Sequence, residues 1–307
     1  MNKWLRLFFF VFVLLFLFPG YLLSAQITID SEDQFTFARH LMEKKAYPRA
    51  IIEFERLIYF FPEDERIPEV GYLIGLCHFK NKAFEEARKI CLGLYRDFPV
   101  RPIGGKALLL IAESYYTQGA FPEADRYFKM VVEKFPGSDF QNRALYRLGW
   151  SRMRTDQWRE ASKTFEMVDK ESTLFPSALD LSERSLKGEA LPYKNPTTAG
   201  VMAGVLPGLG HVYCERYKDG AVAFLLNGLF IWAAYESFDN DHEVLGGILT
   251  FLELGWYSGN IYSAVNSAHK HNRAVRNKYR QDLQDRFDLS LFTTGGKDLG
   301  LALKYEF

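Results

Sequence analysis

Phe-Pro recurs at one spacing: Phe61-Pro62, Phe98-Pro99 and Phe135-Pro136 stand 37 residues apart. The same step carries Ala50 to Ala87, Ala124 and Ala161. Upstream it carries a second small residue, from Ala38 to Gly75, Ala112 and Gly149. Phe54, Phe128 and Phe165 fall four residues after the alanines, with Cys91 in that place in the second unit. A constant step means that one supersecondary unit is built repeatedly, each copy burying its apolar face on its neighbour. No other feature constrains the fold as strongly.

The residues within each step specify a helical hairpin. A small residue on each of two antiparallel helices lets their backbones approach, and an aromatic one turn later fills the space beside that contact. Proline then ends the second helix, because it lacks an N–H and clashes with the preceding turn. "KKAYPRA", "NKAFEEA", "QGAFPEA" and "TDQWREA" recur as the inter-helix turn, with Tyr47, Phe84, Phe121 and Trp158 as its aromatics. These residues resemble the tetratricopeptide repeat over about 34–168, in a longer form similar to the arrays of bacterial envelope proteins. The resemblance implies a mainly α fold, a right-handed α-solenoid of four helix-turn-helix repeats over 31–173. Such arrays grip a peptide or a partner helix on a concave face and carry no active site. By position, the lining residues would be Tyr72, Phe79, Lys80, Glu113, Tyr116, Arg143, Tyr146, Trp150 and Arg154. The same aromatics would also serve to pack one repeat on the next.

The ends of the chain differ from this array. Lys3 and Arg6 precede an unbroken apolar run from Leu7 to Phe18, then Pro19-Gly20 and a small residue at Ala25. That is the pattern of an export signal over 1–25, or of an anchor if uncut. The 38 basic and 38 acidic residues balance, and an exported neutral chain does not suit nucleic acid despite alternating Lys/Arg and aromatics. The three cysteines lack metal or redox spacing. Cys77 and Cys91 sit symmetrically about the turn near Phe84, so they read as two core residues of one hairpin or as a disulfide. After the repeats, 174–196 reads as a capping helix and a Pro-broken linker.

Three apolar stretches then follow: Thr197 to Tyr213, Gly220 to Phe238 and Val244 to Val265. Their length and poverty in charge predict a helical membrane domain over 197–270, with a soluble helical core as the bland reading. "LPGLGHVYCERYKDG" begins at Leu206, but no strand precedes it and a third glycine is missing, so it is no phosphate loop. Pro207, Gly208 and Gly210 instead predict the tight turn of a membrane hairpin, with Tyr213, Arg216, Tyr217 and Lys218 following at headgroup level and Gly220 opening the next apolar stretch. The stretch resembles the glycine-rich hairpin of two-transmembrane domain families. Together with "YSGNIYSAVNSAH" and the closing residues, it also resembles a bacterial domain-of-unknown-function family over about 196–307. That resemblance implies a basic helix and a C-terminal β-hairpin over 271–307. The alternation of Leu299, Leu301, Leu303, Tyr305 and Phe307 with small and polar residues predicts the same hairpin.

Within the apolar stretches the polar residues are Asn227, Glu253 and Asn260. A carboxylate at bilayer depth should face protein, with Asn227 as its candidate neighbour. His211, His269 and His271 have no ligand spacing, so no metal and no cofactor is expected. No nucleophile–base order or paired-carboxylate cleft appears either. The expected function is a non-catalytic, membrane-attached scaffold in the bacterial envelope, its repeats in the periplasm and its partner a protein or peptide. The alternative is an accessory subunit of a transporter or channel that uses Glu253, and a cell-wall enzyme would need a pocket that the sequence does not show.

Overall fold

The computed structural model describes Trp4, residues 29–294 and residues 298–305, excluding the side chains beyond Phe287. The leader expected over 1–25 lies outside the described residues, Trp4 apart. The fold is mainly helical, and two compact units divide at Val70 and Gly71.

In the first unit, α1 (Ser31–Glu43) and α2 (Tyr47–Phe60) form an antiparallel hairpin. Asp30 caps α1 by accepting the Asp33 N–H at 2.8 Å, satisfying one of the donors a helix start leaves free. Ala38 and Ala50 are fully buried, and Phe54 fills the space beside them with its ring 6.2 Å from that of Phe35. α3 (Ile67–Lys80) follows the loop after Pro62.

The second unit repeats the hairpin. After most of α3, its repeat helices are α4 (Phe84–Asp97), α5 (Pro102–Thr117), α6 (Phe121–Lys134), α7 (Asp139–Arg154) and α8 (Trp158–Glu166). Ala87, Ala124, Ala161, Ala112, Phe128, Phe165 and Cys91 are all buried. Gly149 shows why that position is small: a Cβ there would lie 2.5 Å from the Phe165 ring. Phe98 and Phe135 end α4 and α6 with φ near −130° and −126°, leaving the helix just before each proline. Both residues thus lie outside the α region, which a following proline disfavours.

One repeated feature leaves little trace in the sequence. Lys45, Lys82, Gly119 and Asp156 each take φ between 60° and 77°, at the same 37-residue step. In each case the next residue's N–H reaches back to a carbonyl five residues earlier, as Ala83 does to His78 at 2.9 Å. This left-handed closure satisfies carbonyls that the helix end leaves free. It normally calls for glycine, and three of the four turns lack one.

After the repeats comes α9 (Phe175–Glu189), then α10 (Pro196–Val205), the short α11 (Leu209–Tyr213), α12 (Tyr217–Asp239) and α13 (Glu243–Arg286). α13 is one uninterrupted helix of 44 residues, about 66 Å long. It runs straight through position 270, where the sequence suggests a domain edge.

Candidate functional site

The nine residues expected on the concave face fall into two groups. Tyr72, Phe79, Glu113, Tyr146 and Trp150 are buried, whereas Lys80, Tyr116, Arg143 and Arg154 keep part of their surface. The aromatics brace the turns. Phe79 meets Phe84 edge-on at 5.6 Å, and one step later Tyr116 meets Phe121 at the same distance. Tyr146 packs edge-on against Phe165 at 5.7 Å. Burial, chiefly, pushes the Tyr72 and Tyr146 hydroxyls above their ordinary pKa.

Glu113 lies inside the array, where Arg147 donates to both of its carboxylate oxygens. The Arg147 guanidinium also covers the Tyr116 ring at 4.7 Å. Burial opposes the charge on Arg147, but the Glu113 carboxylate outweighs it and holds the guanidinium above its ordinary pKa. The two residues stand 34 apart, on α5 and α7, so the pair ties consecutive repeats together. Burial also pulls the Lys80 ammonium below its usual value, with Glu113 pulling the other way. Arg143 pairs with Asp139 at 2.6 Å on its own helix. Arg154 donates to Gln284 of α13, a contact the sequence gives no sign of.

Cys77 and Cys91 are free, buried thiols. Burial pushes each up to about 12, which leaves them protonated and unreactive at neutral pH. Cys91 fills the position that phenylalanine takes in the other units.

The second candidate region is built from α10 to α13. Gly208 adopts φ 87°, and a Cβ there would lie 2.1 Å from the Gly220 carbonyl oxygen. Pro207-Gly208 therefore forms a tight turn, and a Cβ on Gly210 would press within 2.2 Å of the Ala199 oxygen. His211 is buried, its Nε2 3.0 Å from the Ser263 hydroxyl. Arg216 donates to Ser267 at 3.0 Å and pairs with Asp219 at 2.5 Å. The Tyr213 hydroxyl accepts the Asn195 N–H at 3.0 Å. A cavity of about 450 Å³ opens beside His211, Arg216, Asn260 and Ser263, between α12 and α13.

The seam of these two helices is lined by small and polar residues. Gly220, Asn227 and Ala234 of α12 are buried, as are Gly246, Glu253 and Asn260 of α13. Outward-facing residues are large and apolar: Leu225, Leu229 and Trp232 on α12, with Ile248, Phe251 and Leu254 on α13, are each more than half exposed. Asn227 donates to the Ala223 carbonyl of its own helix at 2.6 Å. Neither Glu253 oxygen has a hydrogen-bond partner among the described residues, so Asn227, its expected neighbour, does not hydrogen-bond it. Among the described residues, α12 is the one helix long and apolar enough to cross a membrane, by length and composition. No group of three or more metal-ligating His, Cys, Asp or Glu occurs among them.

Comparison with known proteins bears on the repeats. The chain is similar in fold to a MamA fragment from Desulfovibrio magneticus, at 18% identity over 49% of this chain and 78% of that one, with a TM-score of 0.39. It is likewise similar to a tetratricopeptide repeat protein from Parabacteroides merdae, at 13% identity over 83% and 98%, with a TM-score of 0.42. The apo form of RapI aligns at 12% identity over 80% and 88%, with a TM-score of 0.42. No curated protein matches the chain. The tetratricopeptide repeat family model matches residues 106–138 and 143–171. These are α5–α6 and α7–α8, so the chain carries tetratricopeptide repeats, a module that points to a protein–protein interaction scaffold.

Proposed function

We propose that this protein is a non-catalytic, membrane-attached scaffold of the bacterial envelope whose repeats hold a protein or peptide partner. The observation that carries the membrane part is the inverted polarity of α12 and α13. A pair of helices in water buries its large apolar side chains; these two turn theirs outward and keep Gly, Ala, Asn and Glu between them. That distribution suits lipid, where close-packed small residues and buried polar groups hold helices together. The repeats support the partner-binding part, with Lys80, Tyr116, Arg143 and Arg154 as the side chains that keep surface for a ligand.

The finer architecture belongs to this proposal. Residues 1–25 act as the export signal or anchor, placing the repeats in the periplasm, and 174–196 cap and link the array. The repeats of the second unit wind as a right-handed solenoid. The chain closes in a β-hairpin, in which an antiparallel register with Phe287 opposite Tyr305 and Thr294 opposite Asp298 supports the pairing.

A photo-crosslinking residue in place of Tyr116, used in intact cells, tests the partner. One discrete protein adduct that disappears with Arg143→Glu is the expected result. No adduct, or an adduct indifferent to Arg143→Glu, contradicts the reading. A second reading has its own observation: the Glu253 carboxyl is buried without a hydrogen-bond partner among the described residues, as a proton- or ion-handling group would be. Glu253→Gln separates the two. Unchanged cell growth and an unchanged adduct favour the scaffold, and lost function with the adduct intact favours an accessory role in transport.

A further inference from the structure

The last turns of α13 lie on the repeats. Arg280 is buried, and its Nη1 donates to the Met153 and Arg154 carbonyls at 3.0 Å each. The same nitrogen reaches Asp156 Oδ1 at 2.9 Å. Both carbonyls lie at the C-terminal end of α7, Met153 also accepting the Asp156 N–H at 3.3 Å, and a cation there is favoured by the helix dipole. Arg276 pairs with the other Asp156 oxygen at 3.1 Å. Tyr279 sets its ring 6.1 Å from Trp158 and donates to the Arg184 carbonyl at 2.8 Å. Leu283 and Phe287 enter the apolar cluster formed by Trp150, Met153, Trp158 and Phe165.

The fit is incomplete beside this contact. A cavity of about 370 Å³ remains between Tyr116, Arg147, Trp150 and Arg154 on the repeats and Gln284 and Phe287 on the segment. The segment is therefore seated through Arg280, Leu283 and Phe287, which are buried, beside a cleft that stays open.

We infer that residues 276–287 are an intramolecular ligand of the repeats, and that a partner reaches the Trp150–Trp158 surface by displacing them with a helix of the same chemistry. This rests on reading the repeats as a partner surface. The segment defines what it would compete with: a guanidinium that caps α7, then apolar residues three and seven positions on, as Leu283 and Phe287 follow Arg280. Because α13 is continuous from the α12 seam to this contact, the tether and the closure of the surface are one element.

The test uses the full chain in detergent and a fluorescent peptide of residues 272–288. The wild-type chain is expected to bind it weakly, since its own segment is already seated. Arg280→Ala in the chain should bind the wild-type peptide about tenfold more tightly, and the peptide carrying Arg280→Ala should lose that gain. Equal binding by both chains overturns the inference, as does failure of both to bind while both keep their helical circular dichroism. If Arg280→Ala unfolds the chain, Arg276→Ala with Gln284→Ala removes only rim contacts and decides instead. A gain of about threefold supports displacement, and no gain overturns it. A photo-crosslinked partner that binds wild type and Arg280→Ala alike removes this inference and leaves the scaffold reading standing.

Discussion

Lys82 and Gly208 both hold positive φ, at 63° and 87°, yet their surroundings differ. Lys82 is exposed at the end of α3, so only its backbone is strained. An L-residue in the left-handed region costs roughly 1–2 kcal/mol, partly recovered by glycine against its greater freedom when unfolded. Lys82→Gly is therefore expected to stabilise the chain by about 0.5–1 kcal/mol in thermal melts. Gly208→Ala should instead destabilise it by about 3 kcal/mol or more, because the new Cβ would meet the Gly220 oxygen at 2.1 Å. The sequence flags Gly208 through its Pro-Gly pair. It hides Lys45 and Lys82, since nothing in a lysine signals a left-handed turn, whereas aspartate at 156 is a residue type that tolerates one.

At the scale of the helical hairpin, the repeat is the most legible part of the chain. Small residues at helix crossings and an aromatic one turn on leave a periodic trace, because each copy meets the same packing requirement. The second copy adds a titration. Cys77 on α3 and Cys91 on α4 are raised from 9.0 to about 12 by burial. Between these values the folded chain keeps protons that the unfolded chain has lost, so this contribution is full below pH 9 and falls as pH rises toward 12. Denaturant melts should show stability dropping above about pH 9, and Cys91→Ser should flatten that slope. A slope indifferent to the substitution contradicts the assignment. The candidate site was less legible than the hairpins. Glu113 reads as a face residue until Arg147, 34 positions later, is seen to bury it. Arg280 meets carbonyls more than 120 residues away, and no local pattern encodes such a contact.

At the scale of the molecule, two kinds of helix pair meet in one chain. The repeats bury aromatics and expose charge; α12 and α13 bury Asn227, Glu253 and Asn260 and expose Leu229, Trp232 and Phe251. Length and low charge marked the second kind in the sequence, but only the fold tells which face is inward. Vesicle flotation of the chain without residues 1–25, at high salt and without detergent, measures this most directly. The account predicts that the chain rises with the lipid, and that replacing Leu229, Trp232 and Phe251 together with Asp leaves it at the bottom of the gradient with its helical signal intact. A wild-type chain that stays monodisperse in buffer and never floats would contradict it.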